Sequence, residues 1–360
     1  MKLTFFGGAK TVTGANYLLQ VGQDKVLIDC GLFQGSSELE FLNSDAWGFD
    51  PKEISHVFVT HSHQDHCGRI PRLVNEGFKG KIIATKPGVE MMLLALLDAA
   101  NISLHESQES GFPPLFKEED VYSAQRLMKG VDYGQVIKVS PRISVEVLNA
   151  GHILGSAMYR FTLKEGKKKK VITFTGDLGN HPAPLLPKHS PIESTDILVM
   201  ESAYGNRNHE SPIERKEMLK KTILDCVIAK GTLLIPSFAI ERTQVLLYEI
   251  NEMVEKREIP RLPIYIDSPL ATKMTKVYRK YLRNKIYFNT RVHGFTDKGD
   301  DIFNFPGLEF VESTKGSKAL NQKRGPKIII AGSGMSTAGR ILFHEQLYLP
   351  DPKNFILFVG

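Results

Sequence analysis

A chain of 360 residues has room for about two domains, and an apolar share of 42% is ordinary for a protein with buried cores. The net charge of +6 and the pI of about 9.0 permit an anionic partner such as nucleic acid without requiring one. The longest apolar run, MMLLALLDAA, is too short to span a bilayer, and the chain start lacks the form of a secretory signal, so no membrane partner is expected. The three cysteines are widely spaced, which predicts a reducing, cytoplasmic setting and no disulfide framework.

The first half of the chain is rich in short strands separated by Gly, Asn or Asp turns. The first predicted strands are LTFFGG, NYLLQV, KVLIDCG, ISHVFVT and KIIAT. Between the last two, GRIPRLVNEG predicts a short helix closed by Gly77, and after them PGVEMMLLALLDAANIS predicts a helix with Pro87 in its first turn. Further strands are predicted in ISVEVLNAG, AMYRFTL, KVITFTGD and DILVMES.

From Ile213 onward the pattern changes to helix and strand in alternation. The predicted helices are IERKEMLKKTILDCVIAKG, ERTQVLLYEINEMVEKR, ATKMTKVYRKYLRN and GRILFHEQLY, and the predicted strands are TLLIPSF, PIYIDS and KIIIAGS. Such alternation predicts a parallel sheet flanked by helices, so we expect an α/β protein with a domain boundary near residue 205. The final segment, NFILFVG, has the pattern of a β-strand that continues to the last residue of the sequence. We therefore expect a C-terminal part to be absent.

The stretch THSHQDHCGR, Thr60 to Arg69, places three histidines and an aspartate within six positions. It lies where a predicted strand ends and a predicted helix begins, which is where α/β proteins place ligands. Imidazole and carboxylate groups together suit zinc and similar divalent ions. His61 and His63 can swing to one point from an extended turn, whereas Asp65 and His66 diverge by about 100° at the start of a helix. The spacing therefore predicts two metals.

Two metal sites need more ligands than this turn contains, and later strand ends supply candidates. His152 in NAGHILGSA and Asp177 in FTGDLG are each followed closely by glycine, so the backbone can turn sharply there. Taken alone, a histidine such as His152 is more often part of the core, and an aspartate such as Asp177 more often forms a turn. The presence of the THSHQDH stretch in the same chain is what favours a ligand role for both. Asp29 ends a buried strand in LIDCG, and we expect it to orient a ligand histidine without binding the metal itself.

The ordered motifs LIDCG, THSHQDH, GHILGSA and TGDLG resemble those of the metallo-β-lactamase superfamily. The motifs MESAYG, PSFAIERTQ, IDSPLA and GSGMSTAGR narrow the resemblance to the β-CASP ribonucleases, which include the endonuclease that cleaves pre-mRNA 3′ ends and its bacterial and archaeal relatives. The resemblance implies an α/β fold, with a metallo-β-lactamase αββα sandwich over residues 1–204. A Rossmann-like β-CASP domain over residues 205–360 is inserted into it.

The resemblance also implies a zinc-dependent ribonuclease with two Zn²⁺ ions. The residues so assigned are His61, His63 and His152 for one ion, Asp65 and His66 for the other, and Asp177 between them. Asp65, Asp177 and Glu201 would be catalytic, Glu201 by supporting a histidine of a later S-x-H motif. That histidine and a further C-terminal one have no counterpart here, and His344 matches neither. We therefore expect this piece to bind RNA but to turn it over poorly.

A hydroxide shared by the two metal ions would attack a phosphodiester in line with the leaving oxygen. Arg242 and Arg340, at predicted helix starts, are expected to hold single-stranded RNA, with Ser268 and Ser333 as weaker candidates at strand ends. A surface ion pair is the competing interpretation of each arginine. Three other functions stay open: a hydrolase of small esters, thioesters or lactams, a DNA nuclease of the same subfamily, and a non-catalytic RNA-binding subunit. A homodimer also stays open.

Overall fold

The computed structural model describes residues 1–208 and 211–359. By its internal contacts the chain divides into two units, Met1–His181 with Lys188–Gly205 and Pro182–Pro187 with Asn206–Gly360. The strands of the first unit are β1 (Lys2–Gly7), β2 (Asn16–Val21), β3 (Asp24–Ile28), β4 (His56–Phe58), β5 (Lys81–Thr85), β6 (Met128–Val131), β7 (Val136–Lys138), β8 (Ile143–Asn149), β9 (Ala157–Glu165), β10 (Lys168–Phe174) and β11 (Ile197–Val199). Its helices are α1 (Ser37–Phe41), α2 (Gln64–Cys67), α3 (Ile70–Asn75), α4 (Lys86–Ser110) and α5 (Glu118–Gln125).

The first unit contains two sheets that face each other. One has the order β1-β2-β3-β4-β5-β6 and the other the order β11-β10-β9-β8-β7. Because successive side chains of a strand point to opposite faces, Val57 of β4 packs under the helices whereas Phe58 points to the second sheet. Phe58 meets Tyr159 and Phe161 of β9 edge-on, with ring centroids 5.2 Å apart in both pairs. The layers are thus helices, first sheet and second sheet.

Helix α4 is longer than its sequence predicts. Thr85 caps its start by accepting a hydrogen bond from the Gly88 N–H, and the helix continues until Gly111, whose left-handed φ of 77° ends it. By length and composition alone its Lys86–Glu109 segment could cross a membrane, although 39% of an apolar 18-residue stretch within it is buried inside the fold. Water-soluble cores also contain single helices of this kind, and Leu96 of α4 is fully buried against the first sheet.

The second unit is a single parallel sheet with helices between its strands. Its elements are α6 (Pro212–Ile228), β12 (Thr232–Pro236), α7 (Arg242–Glu255), β13 (Ile264–Asp267), α8 (Pro269–Tyr281), α9 (Thr290–Thr296), β14 (Leu308–Phe310), α10 (Thr314–Leu320), β15 (Lys327–Ala331), α11 (Arg340–Tyr348) and β16 (Phe355–Ile356). The strand order is β14-β13-β15-β12-β16, and every pairing is parallel. The α/β class expected from the alternating pattern is confirmed.

The sequence analysis missed α1, α5, β6 and β7 in the first unit, and it missed α9, β14 and α10 between α8 and β15 in the second. Strand β14 has three residues and pairs only with β13, so it is too short to show an alternating pattern. The excursion Pro182–Pro187 was also unforeseen. Asn289 binds it by donating its side-chain amide to the Pro184 carbonyl at 2.9 Å, a long-range contact without a local sequence signal.

Replacing Phe161 by alanine should destabilise the first unit by about 3–5 kcal/mol, because it removes a fully buried ring from between the two sheets. Urea unfolding followed by tyrosine and tryptophan fluorescence measures the change. Phe41 is 73% exposed, so Phe41→Ala serves as the control and should shift the unfolding free energy by less than about 0.5 kcal/mol. Equal shifts for both variants would contradict the packing described here.

Candidate metal centre

Asp29 fixes the turn His61–His66, called here the histidine turn. Asp29 follows β3, is fully buried, and adopts a left-handed φ of 58°. Its carboxylate accepts hydrogen bonds from the Thr60 N–H at 2.7 Å and from the Thr60 hydroxyl at 2.8 Å. It also accepts one from Nδ1 of His66 at 2.8 Å. The contact leaves Nε2 of His66 as the ligand atom, because a neutral imidazole that donates from one nitrogen offers a lone pair on the other.

Four side chains of the first unit converge on one point. The ligand atoms of His61, His63, His152 and Asp177 all lie within 4.8 Å of one another. Nδ1 of His63 is 3.0 Å from Nε2 of His61 and 3.4 Å from Nε2 of His152. Oδ2 of Asp177 is 3.7 Å and 3.6 Å from those same two Nε2 atoms. Ligand atoms around one tetrahedral zinc stand about 3.3 Å apart, given bonds of about 2.0–2.1 Å, so this set fits one such ion.

A second set of donors adjoins the first and shares Asp177 with it. Nε2 of His66 lies 3.3 Å from Oδ1 of Asp177 and 3.6 Å from Oδ2 of Asp65. The two oxygens of Asp177 therefore face different groups of histidines, which is the arrangement a bridging carboxylate requires. Imidazole and carboxylate donors in both sets fit divalent ions of the zinc type.

Charges within the cluster set the protonation of its members. Burial raises the pKa of Asp177, but the hydrogen bond with His66 and the electrostatic interactions with the surrounding histidine rings outweigh it and hold that pKa far below its usual range. Burial, and next the charge of His66, lower the pKa of His61 well below its usual value. Asp177 is therefore ionised and His61 neutral at physiological pH, and both are ready to bind a cation.

His66 behaves differently because of its contact with Asp29. Burial lowers its pKa, but the charge of Asp29 and hydrogen bonds to Asp177 and Asp29 raise the pKa well above its usual value. A metal at Nε2 of His66 must then displace a proton, and metal affinity in this set falls as pH falls.

Two glycines let the backbone segments around the cluster touch. A Cβ on Gly31 would stand 1.6 Å from the backbone of the histidine turn, and one on Gly179 would stand 1.7 Å from the Gly151 carbonyl oxygen. No other residue type fits such approaches without moving the backbone. Gly179 thereby brings the loop that carries Asp177 against the loop that carries His152.

Glu201 lies beside the Asp177 loop, not at its ligand atoms. Oε1 of Glu201 accepts a hydrogen bond from the Leu178 N–H at 3.4 Å, and Oε2 accepts one from the Ala203 N–H at 3.0 Å. The carboxylate therefore braces the residue that follows Asp177. Its predicted support of a later histidine stays a prediction.

The four predicted substrate-binding residues belong to the second unit. Ser268 and Ser333 follow the neighbouring strands β13 and β15, and Arg242 and Arg340 begin α7 and α11. The hydroxyl of Ser268 caps α8 by accepting the Ala271 N–H at 3.2 Å, and that of Ser333 accepts the Thr337 N–H at 3.3 Å. Contact of these residues with RNA stays a prediction.

Arg340 is engaged within its own unit. It donates to Asp267 at 2.7 Å and to the carbonyl oxygens of Val311 at 3.1 Å and Glu312 at 2.8 Å. His344, which sequence comparison with the family left without a role, also contacts Asp267, through Nε2 at 2.7 Å. Both side chains thus stabilise a buried carboxylate at the end of β13.

Sequence reasoning missed three residues that shape the polar sites. Thr60 lies between Asp29 and the histidines, and its position directly before the histidine turn was the available signal. Tyr17 is close enough to the cluster that burial, and then the charges of Asp29 and Asp177, raise the pKa of its phenol. Asp267 had a signal similar to that of Asp29, namely an aspartate at the end of a buried strand.

Residues 11–129 match the family model of the metallo-beta-lactamase superfamily, and residues 243–360 match that of the Beta-Casp domain. Ribonuclease TTHA0252 of Thermus thermophilus is 39% identical over 364 residues, which cover 100% of this chain and 79% of that protein. The chain belongs to the β-CASP group of the metallo-β-lactamase superfamily.

Archaeal members of the superfamily are also similar. The transcription termination factor FttA of Methanosarcina mazei is 29% identical over 375 residues, covering 100% of this chain and 56% of that protein. The RNase J-like protein of Methanocaldococcus jannaschii is 30% identical over 361 residues, covering 99% of this chain and 77% of that protein. The chain thus spans little more than half of the FttA protein. Membership in the superfamily implies a divalent metal at the His/Asp cluster.

Purified protein should contain zinc, and His63→Ala should lose most of it, because Nδ1 of His63 lies at the centre of the first ligand set. Elemental analysis measures the metal content. His105 is exposed on α4, outside the cluster, so His105→Ala is a matched control and should keep its zinc. Equal zinc in His63→Ala and in the unaltered protein would refute the ligand assignment.

Asp29→Asn should weaken metal binding roughly 10–100-fold, as loss of a carboxylate behind a ligand histidine typically does. Asparagine tolerates the left-handed φ of 58°, so the backbone is retained while the negative charge beside His66 is lost. Competition with a chelating indicator measures the affinity. Asp297→Asn, at an exposed position in the second unit, should leave it unchanged. An unaltered affinity in Asp29→Asn would show that the contact does not orient His66.

Proposed function

We propose that this protein is a ribonuclease that hydrolyses phosphodiester bonds of single-stranded RNA with two Zn²⁺ ions. The observation that carries the proposal is the pair of donor sets that share Asp177, one through each carboxylate oxygen. Two adjacent cation sites are typical of enzymes that cleave or form phosphate ester bonds, such as nucleases.

The relatives support RNA as the substrate. The Thermus protein that is 39% identical is named a ribonuclease, and a second relative is named RNase J-like. A β-lactamase-type or esterase activity shares the metal donors but would leave the parallel-sheet unit over residues 206–360 without a role. We therefore favour a polymeric phosphodiester over a small ester, thioester or lactam.

When bound, the metal ions supply Lewis acidity, which neutralises phosphate charge and lets a water act as nucleophile near neutral pH. The residues of the chain prepare the site for that chemistry. Nδ1 of His61 lies 3.1 Å from the Thr60 hydroxyl, whose own proton goes to Asp29. His61 then donates from Nδ1, so its Nε2 keeps a lone pair directed at the site. Thr60 and Asp29 thus select the tautomer of a ligand.

Asp177 holds the two donor sets at a fixed separation. Its side chain is 32% exposed, so one side of the carboxylate faces solvent while both oxygens face histidines. Because it stays ionised, its charge offsets that of bound cations and lowers the cost of placing two of them side by side. Asp65, in the first turn of α2, adds a carboxylate oxygen to the second set, 3.6 Å from Nε2 of His66.

Glu201 would act through the loop that it braces. Its contact with the Leu178 N–H restrains the residue after Asp177, and a shift of about 1 Å in a catalytic group can lower a rate about 100-fold. We propose a positioning role for Glu201, with no direct contact to the reacting phosphate.

RNA would be held through its phosphates by the second unit. Arg242 and Arg340 begin helices after parallel strands, where backbone N–H groups also favour anions. Arg340 uses three donor contacts within the protein, which fixes its guanidinium and leaves the others for a ligand. Binding should weaken as salt rises, because phosphate contacts release counterions.

The cytoplasm is the proposed location of this activity. The cysteines Cys30, Cys67 and Cys226 are free and buried, as suits a reducing compartment.

The test compares the unaltered chain with Asp177→Asn on labelled single-stranded RNA, with protein in excess and zinc matched. Single-turnover conditions suit the slow turnover expected of this chain. The unaltered chain should release products with a 5′-phosphate, and Asp177→Asn should be slower by more than about 100-fold while still binding RNA. Gel shift at two salt concentrations measures the binding.

Matched DNA and a chromogenic β-lactam serve as competing substrates in the same assay. Equal RNA cleavage by Asp177→Asn would refute the metal-centred mechanism. Hydrolysis of DNA or of the β-lactam at the rate of RNA or faster would instead refute the substrate assignment.

A further inference from the structure

A cavity of about 360 Å³ opens between the two sheets of the first unit, at the end where β4 and β5 begin. His56 starts β4 and Lys81 starts β5, whereas the histidine turn follows the opposite end of β4. The path from His56 to His61 is five residues, which corresponds to roughly 16 Å of extended chain. The cavity is therefore separate from the candidate metal centre.

Cationic residues occupy inward-facing positions of the first sheet at this cavity. Strand alternation places His56 on the same face as Phe58, which belongs to the core between the sheets. By the same alternation Lys81 shares the inner face with Ile83, and Lys129 shares it with Val131. On each of these strands, the residue two positions before an apolar core residue thus carries a cationic or titratable side chain on the same face.

No carboxylate lines the cavity within the described residues, and Lys138 adds a further ammonium from β7. Across the described chain, Lys81, Lys129 and Lys138 make no ion pair, although many other lysines do. The pKa of His56 is lowered by burial, and next by the charges of Lys81 and Lys129, so all three groups are close. A bound anion would relieve this repulsion.

Apart from Gln135, the remaining wall is apolar. Ile83 and Val131 are already buried by the fold, whereas Val136 is 62% exposed and Ile137 is half-buried. A bare inorganic anion would leave Val136 in contact with water, whereas a ligand with an attached ring would cover it. The volume lies within the range of about 300–1,000 Å³ that small-molecule sites occupy.

We propose that this cavity binds a small phosphorylated molecule of nucleoside monophosphate size. Its phosphate lies between Lys81 and Lys129, and its ring covers Val136 and Ile137. His56 and Gln135 contribute the remaining polar wall, and the His56 ring is stacked on Phe58 at a centroid distance of 6.0 Å. The site is independent of the metal centre and of the proposed ribonuclease activity.

The first experiment titrates adenosine 5′-monophosphate into zinc-loaded protein by calorimetry, with adenosine and inorganic phosphate as separate probes. It is repeated in His63→Ala, which removes binding at the metal centre. Adenosine monophosphate should bind in both proteins, and more tightly than either probe. Failure to bind in His63→Ala would overturn the proposal. Adenosine or phosphate binding as tightly as the nucleotide would overturn it equally.

The second experiment replaces both lysines by glutamine, which keeps most of the hydrocarbon stem. Lys81→Gln/Lys129→Gln should weaken nucleotide binding more than about tenfold, since charge-assisted hydrogen bonds are lost. Lys164 is exposed on β9, away from the cavity lining, so Lys164→Gln is the control and should bind normally. Unchanged affinity in the double variant would refute the site.

The third measurement follows the C2 proton of His56 by NMR, with the signal assigned by its loss in His56→Asn. Bound phosphate should raise the pKa of His56, because a nearby negative charge favours the protonated ring. Saturating nucleotide that leaves the His56 titration unmoved would place the ligand elsewhere and contradict the proposal.

Discussion

The buried carboxylate of Asp29 is the interaction on which the rest of the metal centre depends. A fully buried charge is costly unless hydrogen bonds and an opposite charge surround it. Asp29 receives such contacts from the N–H and hydroxyl of Thr60 and from His66, while burial, the larger effect, still raises the pKa of its carboxyl. The same contacts fix the end of β4, the tautomer of His61 and the direction of His66. The Asp29 carboxylate thus fixes both the backbone that follows β4 and the ring nitrogens that His61 and His66 present to a metal.

The second unit repeats this design with Asp267. This carboxylate is also fully buried, ends β13, and accepts hydrogen bonds from Arg340, His344 and Ser317. Arg340 and His344 belong to α11 and Ser317 belongs to α10, so Asp267 connects the end of β13 to two helices, as Asp29 connects the end of β3 to the histidine turn. In both units the carboxyl edge of a sheet is organised by an aspartate that itself faces away from solvent.

Local patterns in the sequence were enough to predict most strands, the alternating half and the histidine turn, because these features depend on neighbouring residues. The extent of α4 and the presence of β14 were not predictable in this way. The end of α4 depends on a single left-handed glycine, and β14 is defined by its pairing with β13. The role of Thr60 required the distance to Asp29, which lies 31 positions earlier in the chain.

The ligands of the metal centre come from both sheets of the first unit. The histidine turn follows β4 of the first sheet, whereas His152 and Asp177 follow β8 and β10 of the second. A cation held by both groups is a cross-link between the two halves of a sandwich. Metal binding there would also stabilise the contact between the two sheets, because binding energy at such a link adds to the stability of the fold. Loss of the ion would therefore weaken the contact between the two sheets, independently of substrate binding.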